Sequence, residues 1–437
     1  MDSAEKIALV SGDASGLGEA AAERLPTAGT RCEAKGLARQ IPSMNGAAKV
    51  TTAVTTAHPT ACGPLAGVRI LEFRGIGPAP FALMLLADMG AEILQVAPPG
   101  QDSGMPVPED QDPIFRGRSR LALDLKQAGS RDAILNLLPN VDVVVEGFRP
   151  GVMERFGLGP EECFEHNPAL VFGRMTGWGQ SGPMAQAPSH DPNLLAVTGV
   201  MHSIGYADRP PLPPLNLVGD YAGGALYLAL GVVAALFSAY ATGRGQVVDA
   251  AMVDGAASLM TTMYAMRNHG LWSDQRGVNF LDGSCPFGTS YETADGKYMM
   301  VCALEPPFYQ SLLRHLGLAG EDLPAQYNRQ GWPALHRRFA EVFMTRTRDE
   351  WTGILENANA CVSPVLDMDE APRHHHNVAR QVFVGEDKPL PGPTPRFLGT
   401  PSRFAPQDLG SAADLLAHWG ATPHHIDALL AAAPITA

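Results

Sequence analysis

The chain has 437 residues, 45% of them hydrophobic, which is enough for two domains and a large core. A formal charge of −13 and a pI near 5.4 exclude general binding to nucleic acid or anionic membrane, so any phosphate site has to be a local arginine cluster. The six cysteines, Cys32, Cys62, Cys163, Cys285, Cys302 and Cys361, show no CxxC or metal-type spacing, which excludes a disulfide frame and a zinc site.

Such thiols are expected to be reduced and intracellular, with cytoplasmic, mitochondrial and peroxisomal locations left open. Asp2 and Glu5 are unlike a secretory signal, and Pro434 to Ala437 is unlike a peroxisomal tripeptide. No charge-free apolar run of about 18 residues stands out, so no membrane span is expected.

In chain order, Lys6 to Gly12 predicts a short strand, Asp13 to Gly18 a glycine turn and Glu19 to Leu25 a helix. This opening resembles that of short-chain dehydrogenases, whose glycines let a pyrophosphate approach a helix N-terminus. The following residues to Ala61 supply neither further βα units nor a Tyr-x-x-x-Lys pair. Residues 1–62 are therefore expected to be a truncated remnant and a Thr/Ala/Pro/Gly linker.

From Gly63 the pattern changes. Val68–Phe73, Glu92–Val96, Val141–Glu146 and Leu170–Met175 predict strands, and Ala79–Met89 and Lys126–Leu138 predict helices between them. Strand and helix in alternation predict an α/β fold built on a parallel, Rossmann-like sheet, with its ligand crevice beyond the strand C-termini. The turn Gly147-Phe148-Arg149-Pro150 follows one of those strands. Arg116 and Arg118 lie close together, and Arg149 and Arg155 follow Glu146. Forked guanidinium donors suit phosphate groups, and a solvated basic surface is the other reading.

Residues 188–224 carry the candidate chemistry. His190 precedes one helical pattern and Asp220 opens the next, in Asn216-Leu-Val-Gly-Asp220-Tyr-Ala-Gly-Gly224. An imidazole and a carboxylate facing each other across a pocket move protons on two faces of a carbon. As isolated residues they read first as caps or core hydrogen bonders. Backbone N–H groups after Asp191 or near Asp220 are candidate stabilisers of an enolate oxygen. Met252, Met260, Met263 and Met266 fit either core filling or an adaptable acyl surface.

Beyond Gly270 a smaller α+β domain is expected. It contains a Ser290–Cys302 hairpin turning at Asp295-Gly296, helices at Pro307–Leu316, Trp332–Met344 and Arg348–Asn357, and a strand at Cys361–Val365. His374-His375-His376 has no carboxylate or cysteine partner at ligand spacing, so a surface loop and no metal site are expected there. Ala412–Trp419 and Pro423–Ala432 predict terminal helices. The organisation read from the sequence is 1–62, 63–269, 270–390 and 391–437, the last returning to the large domain.

Gly63–Glu72, Glu146–Arg155, Met175–Gly182, Asn216–Asp220 and Gly243–Asp249 resemble the family III CoA transferases. His190-Asp191 and Ala303-Leu-Glu305-Pro-Pro-Phe-Tyr309 resemble that family's α-methylacyl-CoA racemase branch. The resemblance implies racemisation of 2-methylacyl-CoA thioesters through an enolate. His190 and Asp220 would be the acid/base pair and Glu305 a hydrogen-bond partner of the histidine. CoA would be held near Arg116, Arg118, Gly147, Arg149 and Arg155, as part of the substrate and with no separate cofactor. It also implies an interlocked homodimer in which Glu305 reaches His190 of the partner subunit.

The chain departs from that branch at Gln95 and Ala97, where charges are usual, and at Ser189, Pro192, Leu194 and Gly288. The alternatives are a family III transferase with Asp220 as nucleophile, which would not need His190, and a catalytically silent CoA-binding protein.

Overall fold

The computed structural model describes residues 62–100 and 107–431. The dehydrogenase-like segment expected in the first 60 residues lies outside the described residues.

Six parallel strands form the main sheet. They are β1 (Arg69–Phe73), β2 (Glu92–Ala97), β3 (Arg118–Ala122), β4 (Val143–Glu146), β5 (Val171–Thr176) and β6 (Gln246–Ala251), in the order β3-β2-β1-β4-β5-β6. The helices of this half, in chain order, are α1 (Pro78–Asp88), α2 (Ser130–Leu137), α3 (Val152–Arg155), α4 (Pro160–His166), α5 (Asp191–Val197), α6 (Val200–Ser203), α7 (Leu226–Thr242), α8 (Met252–Leu259) and α9 (Thr261–Asn268).

Side-chain alternation along the strands builds a core on each face. Ile70, Ile93, Val143 and Val145 meet α1 and α7 through Ala82, Leu83, Leu228 and Val232. Leu71, Leu94 and Val144 point the other way, onto Ile134 and Leu137 of α2. The same second face is closed by α14 (Ala412–His418) and α15 (Pro423–Ala431), which contribute Leu415, Leu416 and Leu429. Each buried Leu, Ile or Val stabilises by about 1.5–3 kcal/mol, so the chain's last helices are held by the main sheet.

A separate core forms between β7 (Ser290–Glu292), β8 (Tyr298–Val301), β9 (Val362–Pro364), α10 (Pro306–His315), α11 (Trp332–Phe343) and α12 (Arg348–Leu355). The strands are antiparallel, and the β7–β8 turn contains Gly296 at φ 72°, the left-handed geometry that the Asp-Gly signal predicts. After α13 (His375–Ala379), β10 (Phe383–Val384) and β11 (Leu390–Pro391) form a short antiparallel hairpin.

Three expectations are corrected. Arg118–Ala122, which the sequence presents only as an arginine cluster, forms strand β3. α2 starts at Ser130 and not at Lys126, because Gly129 adopts a left-handed conformation (φ 90°) ahead of it. Residues Leu217–Thr242 make a 26-residue helical run of mean hydropathy 1.9, long and apolar enough by length and composition to cross a membrane. Its inner side, with Leu228, Val232, Ala235, Leu236 and Ala239, is buried on the sheet as a core helix.

Candidate active site

Strand order reverses between β1 and β4, and the segments that leave these two strands diverge there. A cavity of about 820 Å³ opens at that point, at the carboxyl ends of the strands. Ile76 to Phe81 after β1, Gly147 to Pro150 after β4, Met175 to Trp178 at the end of β5 and Met252 after β6 line it.

His190 and Asp220 both line this cavity. His190 is the residue before α5, and its backbone N–H donates to the Asn193 side chain at 3.0 Å, which fixes the entry of the chain into the helix. The imidazole is exposed to the cavity. Asp220 sits in a π-helical segment, Leu217–Ala225, continuous with α7. The Leu226 N–H bonds back five residues to the Tyr221 carbonyl, and this widened turn directs Asp220 inward.

Asp191 explains why the two candidate residues are held together. It is 2% exposed, and its Oδ2 accepts the N–H of Gly219 at 2.6 Å and of Asp220 at 2.8 Å. Charge-assisted bonds of this kind are worth about 1.5–3 kcal/mol each and tie α5 to the Asp220 segment. Gly219 is required, since a Cβ there would lie 2.6 Å from the same oxygen. The neighbouring helix α8 approaches so closely that a Cβ on Gly255 would collide with the Gly223 carbonyl.

Burial raises the Asp220 pKa above the ordinary carboxylate range. The Asn216 amide, donating to Oδ2 at 3.2 Å, opposes this, the nearby Asp191 charge adds to it, and His190 opposes it. The N–H groups proposed for an enolate oxygen are engaged elsewhere. Those of Gly219 and Asp220 point to Asp191, that of Asn193 bonds to the His190 carbonyl, and Pro192 has none.

The arginines separate by environment. Arg118 is fully buried, with Nε on Glu72 at 2.6 Å and its remaining donors on Glu72 and on the carbonyls of Pro80, Ile114 and Arg116. Its guanidinium is thus saturated within the fold. Arg116 touches the cavity, yet it makes a two-point bond to buried Asp88 at 2.9 and 2.6 Å and lies over Phe404. Arg149 is exposed at the cavity, beside Gly147, with no carboxylate partner among the described residues. Glu146 pins this turn, its Oε2 accepting the Phe148 N–H at 2.7 Å while Oε1 accepts from Arg174 at 2.8 Å. Arg155, at the end of α3, is exposed and outside the cavity lining.

Glu305 is the exposed residue before α10 and does not line the cavity of its own chain. Asn216 and Tyr221, the latter stacked on Phe81 at 4.2 Å, also line the cavity, and buried Asp191 anchors the Asp220 segment; the sequence shows all three inside motifs without giving their side chains a role. The only available signal was their nearness in the chain to His190 and Asp220.

A family model described as CoA-transferase family III matches residues 65–413. The chain belongs to CoA-transferase family III. It is 44% identical to mouse alpha-methylacyl-CoA racemase over 340 residues, covering 77% of this chain and 87% of that protein. Identity to the human alpha-methylacyl-CoA racemase is 42% over the same length and coverage. Among solved structures, a CAIB/BAIF family protein from Brucella suis superposes with a TM-score of 0.70 at 22% identity, over 82% of this chain and 100% of that one. That likeness supports the α/β fold, and the family assignment rests on sequence.

Proposed function

We propose that this member of the family is an isomerase that racemises 2-methylacyl-CoA thioesters. The observation that carries the reading is the meeting of His190 and Asp220 in one cavity at the sheet's switch point. One of them takes the α-proton from one face of the carbon, and the other delivers a proton to the opposite face of the planar enolate. The raised Asp220 pKa suits a carboxyl that must alternate between acid and base. The chemistry uses two protein groups, and CoA enters only as part of the substrate. The first turn of α1, Gly77 to Phe81, also lines the cavity, and its positive dipole end favours charge on the thioester oxygen. Arg149 is the arginine best placed for a CoA phosphate.

The identity to two racemases supports this substrate class, and a homodimer completes the proposal. Leu226, Leu230, Val233 and Phe237 follow one outer face of α7 at steps of four, three and four, and Phe237 is 78% exposed. An apolar stripe of this kind supports burial against a second copy, which would also bring Glu305 of one chain to His190 of the other. An intracellular, reducing setting is proposed from the cysteines. Burial pushes the Cys163 and Cys285 thiols up to about 12, which keeps them protonated.

The test is α-hydrogen exchange. One epimer of a 2-methylacyl-CoA in deuterated water should exchange and invert, and His190→Ala and Asp220→Ala should each lower the rate by about 10²–10⁴-fold. Exchange-silent wild type that moves CoA to an added carboxylic acid through Asp220 would make the protein a transferase instead.

A further inference from the structure

The fold gives the histidine run a carboxylate that lies 18 residues before it in sequence. Glu356 follows the last turn of α12, and His374 and His375 stand at the start of α13. Both imidazoles converge on one oxygen. His374 Nε2 lies 3.4 Å and His375 Nε2 3.2 Å from Glu356 Oε1. The two rings are in contact, with centroids 4.6 Å apart and planes tilted by 33°. All three potential ligand atoms lie within 4.8 Å of one another.

We propose that Glu356, His374 and His375 bind a divalent transition-metal ion of the zinc type. Tetrahedral coordination with bonds of about 2.0–2.1 Å puts neighbouring ligand atoms about 3.3–3.4 Å apart. The two nitrogen–oxygen separations, 3.4 and 3.2 Å, lie close to that edge length, and the nitrogen–nitrogen separation is within 4.8 Å. Two imidazoles and a carboxylate form a donor set suited to zinc, nickel or copper, and poorly suited to calcium or magnesium, which take oxygen ligands. His375 is exposed, so the ion has an entry path and a fourth position open to water.

The ion's role would be to brace the fold and not to act on substrate, because none of its three ligands lines the cavity. The ion would clip the C-terminal end of α12 to the N-terminal end of α13. From α13 the chain runs directly into the β10–β11 hairpin, whose Leu390, Pro391 and Gly392 line the cavity. A bound ion would therefore brace the segment that closes one wall of the site. His376 is exposed and lies outside the cluster, so it is the internal control for ordinary weak binding by a run of three histidines.

The experiment uses the tag-free, chelator-treated full chain, with Zn²⁺ followed by titration calorimetry and Co²⁺ by visible absorption. One ion per chain is expected, with the intense d–d bands of tetrahedral cobalt and a higher Tm on addition of Zn²⁺. Glu356→Gln and His375→Ala should weaken binding at least about tenfold and abolish the Tm gain, whereas His376→Ala should leave both intact. Metal-free melts of the variants separate misfolding from loss of a ligand. Binding that survives Glu356→Gln but falls with His376→Ala would overturn the proposal in favour of a non-specific histidine run. Absence of stoichiometric binding would overturn it outright.

Discussion

Asp220 is held in its raised-pKa state by burial and by the Asp191 charge, which no local pattern announces. Burial against the start of α1 removes water, Asp191 adds a like charge, and Asn216 and His190 only partly offset them. A carboxyl whose folded pKa lies above its unfolded value contributes stability below the unfolded pKa, and that contribution is lost as pH rises through the folded pKa. Ionised Asp220 therefore destabilises the native state at neutral pH. Asp220→Asn is expected to raise the Tm at pH 7, with the difference from wild type vanishing near pH 3, where both side chains are neutral. An equal or lower Tm for the variant at pH 7 would show that the carboxylate is well solvated. The histidine and aspartate were both visible in the sequence as candidates. Asp191 was visible only as the histidine's neighbour, because its role depends on two N–H groups 28 and 29 residues further on.

The elements divide between those whose periodicity declares them and those whose charges disguise them. β1, β2, β4 and β5 are near-continuous apolar runs buried on both faces, and the sequence predicts them to within two residues. β3, at the edge of the sheet, escapes that pattern because Arg118-Ser119-Arg120 puts charge where the other strands are mostly apolar, and Glu72 neutralises Arg118 only once β1 and β3 share a sheet. The consequence is opposite behaviour for two arginines. Arg118→Ala leaves Glu72 buried without its partner and is expected to cost about 3–5 kcal/mol in urea unfolding. Arg149→Ala should leave the melt unchanged and raise the KM for acyl-CoA about tenfold, the loss of one charge-assisted bond to phosphate. A wild-type KM in the Arg149 variant would remove it from the CoA site. The π-helical turn at Asp220 was likewise not legible, since its apolar and glycine-rich composition fits an ordinary helix equally well.

At the scale of the whole molecule the proposed site is incomplete in one chain, because Glu305 stands outside the cavity that holds His190 and Asp220. The proposed shared-site dimer carries a specific prediction. His190→Ala and Glu305→Ala homodimers should both lose most exchange activity, and co-expression of the two chains should restore it in mixed dimers. One of their two sites then has both residues intact. Failure of complementation in isolated mixed dimers would place Glu305 in a role within its own chain.

The sequence by itself determined the α/β class, most strands and helices, the family's motifs and the two central candidates. These follow from hydrophobic period, turn chemistry and short-range spacing, which are properties of neighbours along the chain. Only the tertiary structure decided which arginines are free for a ligand and how Asp191 anchors Asp220. It also decided that Glu356 meets His374 and His375. Each of these depends on residues far apart in sequence, and a charge is spent inside the fold or left for a ligand according to what the packed chain sets beside it.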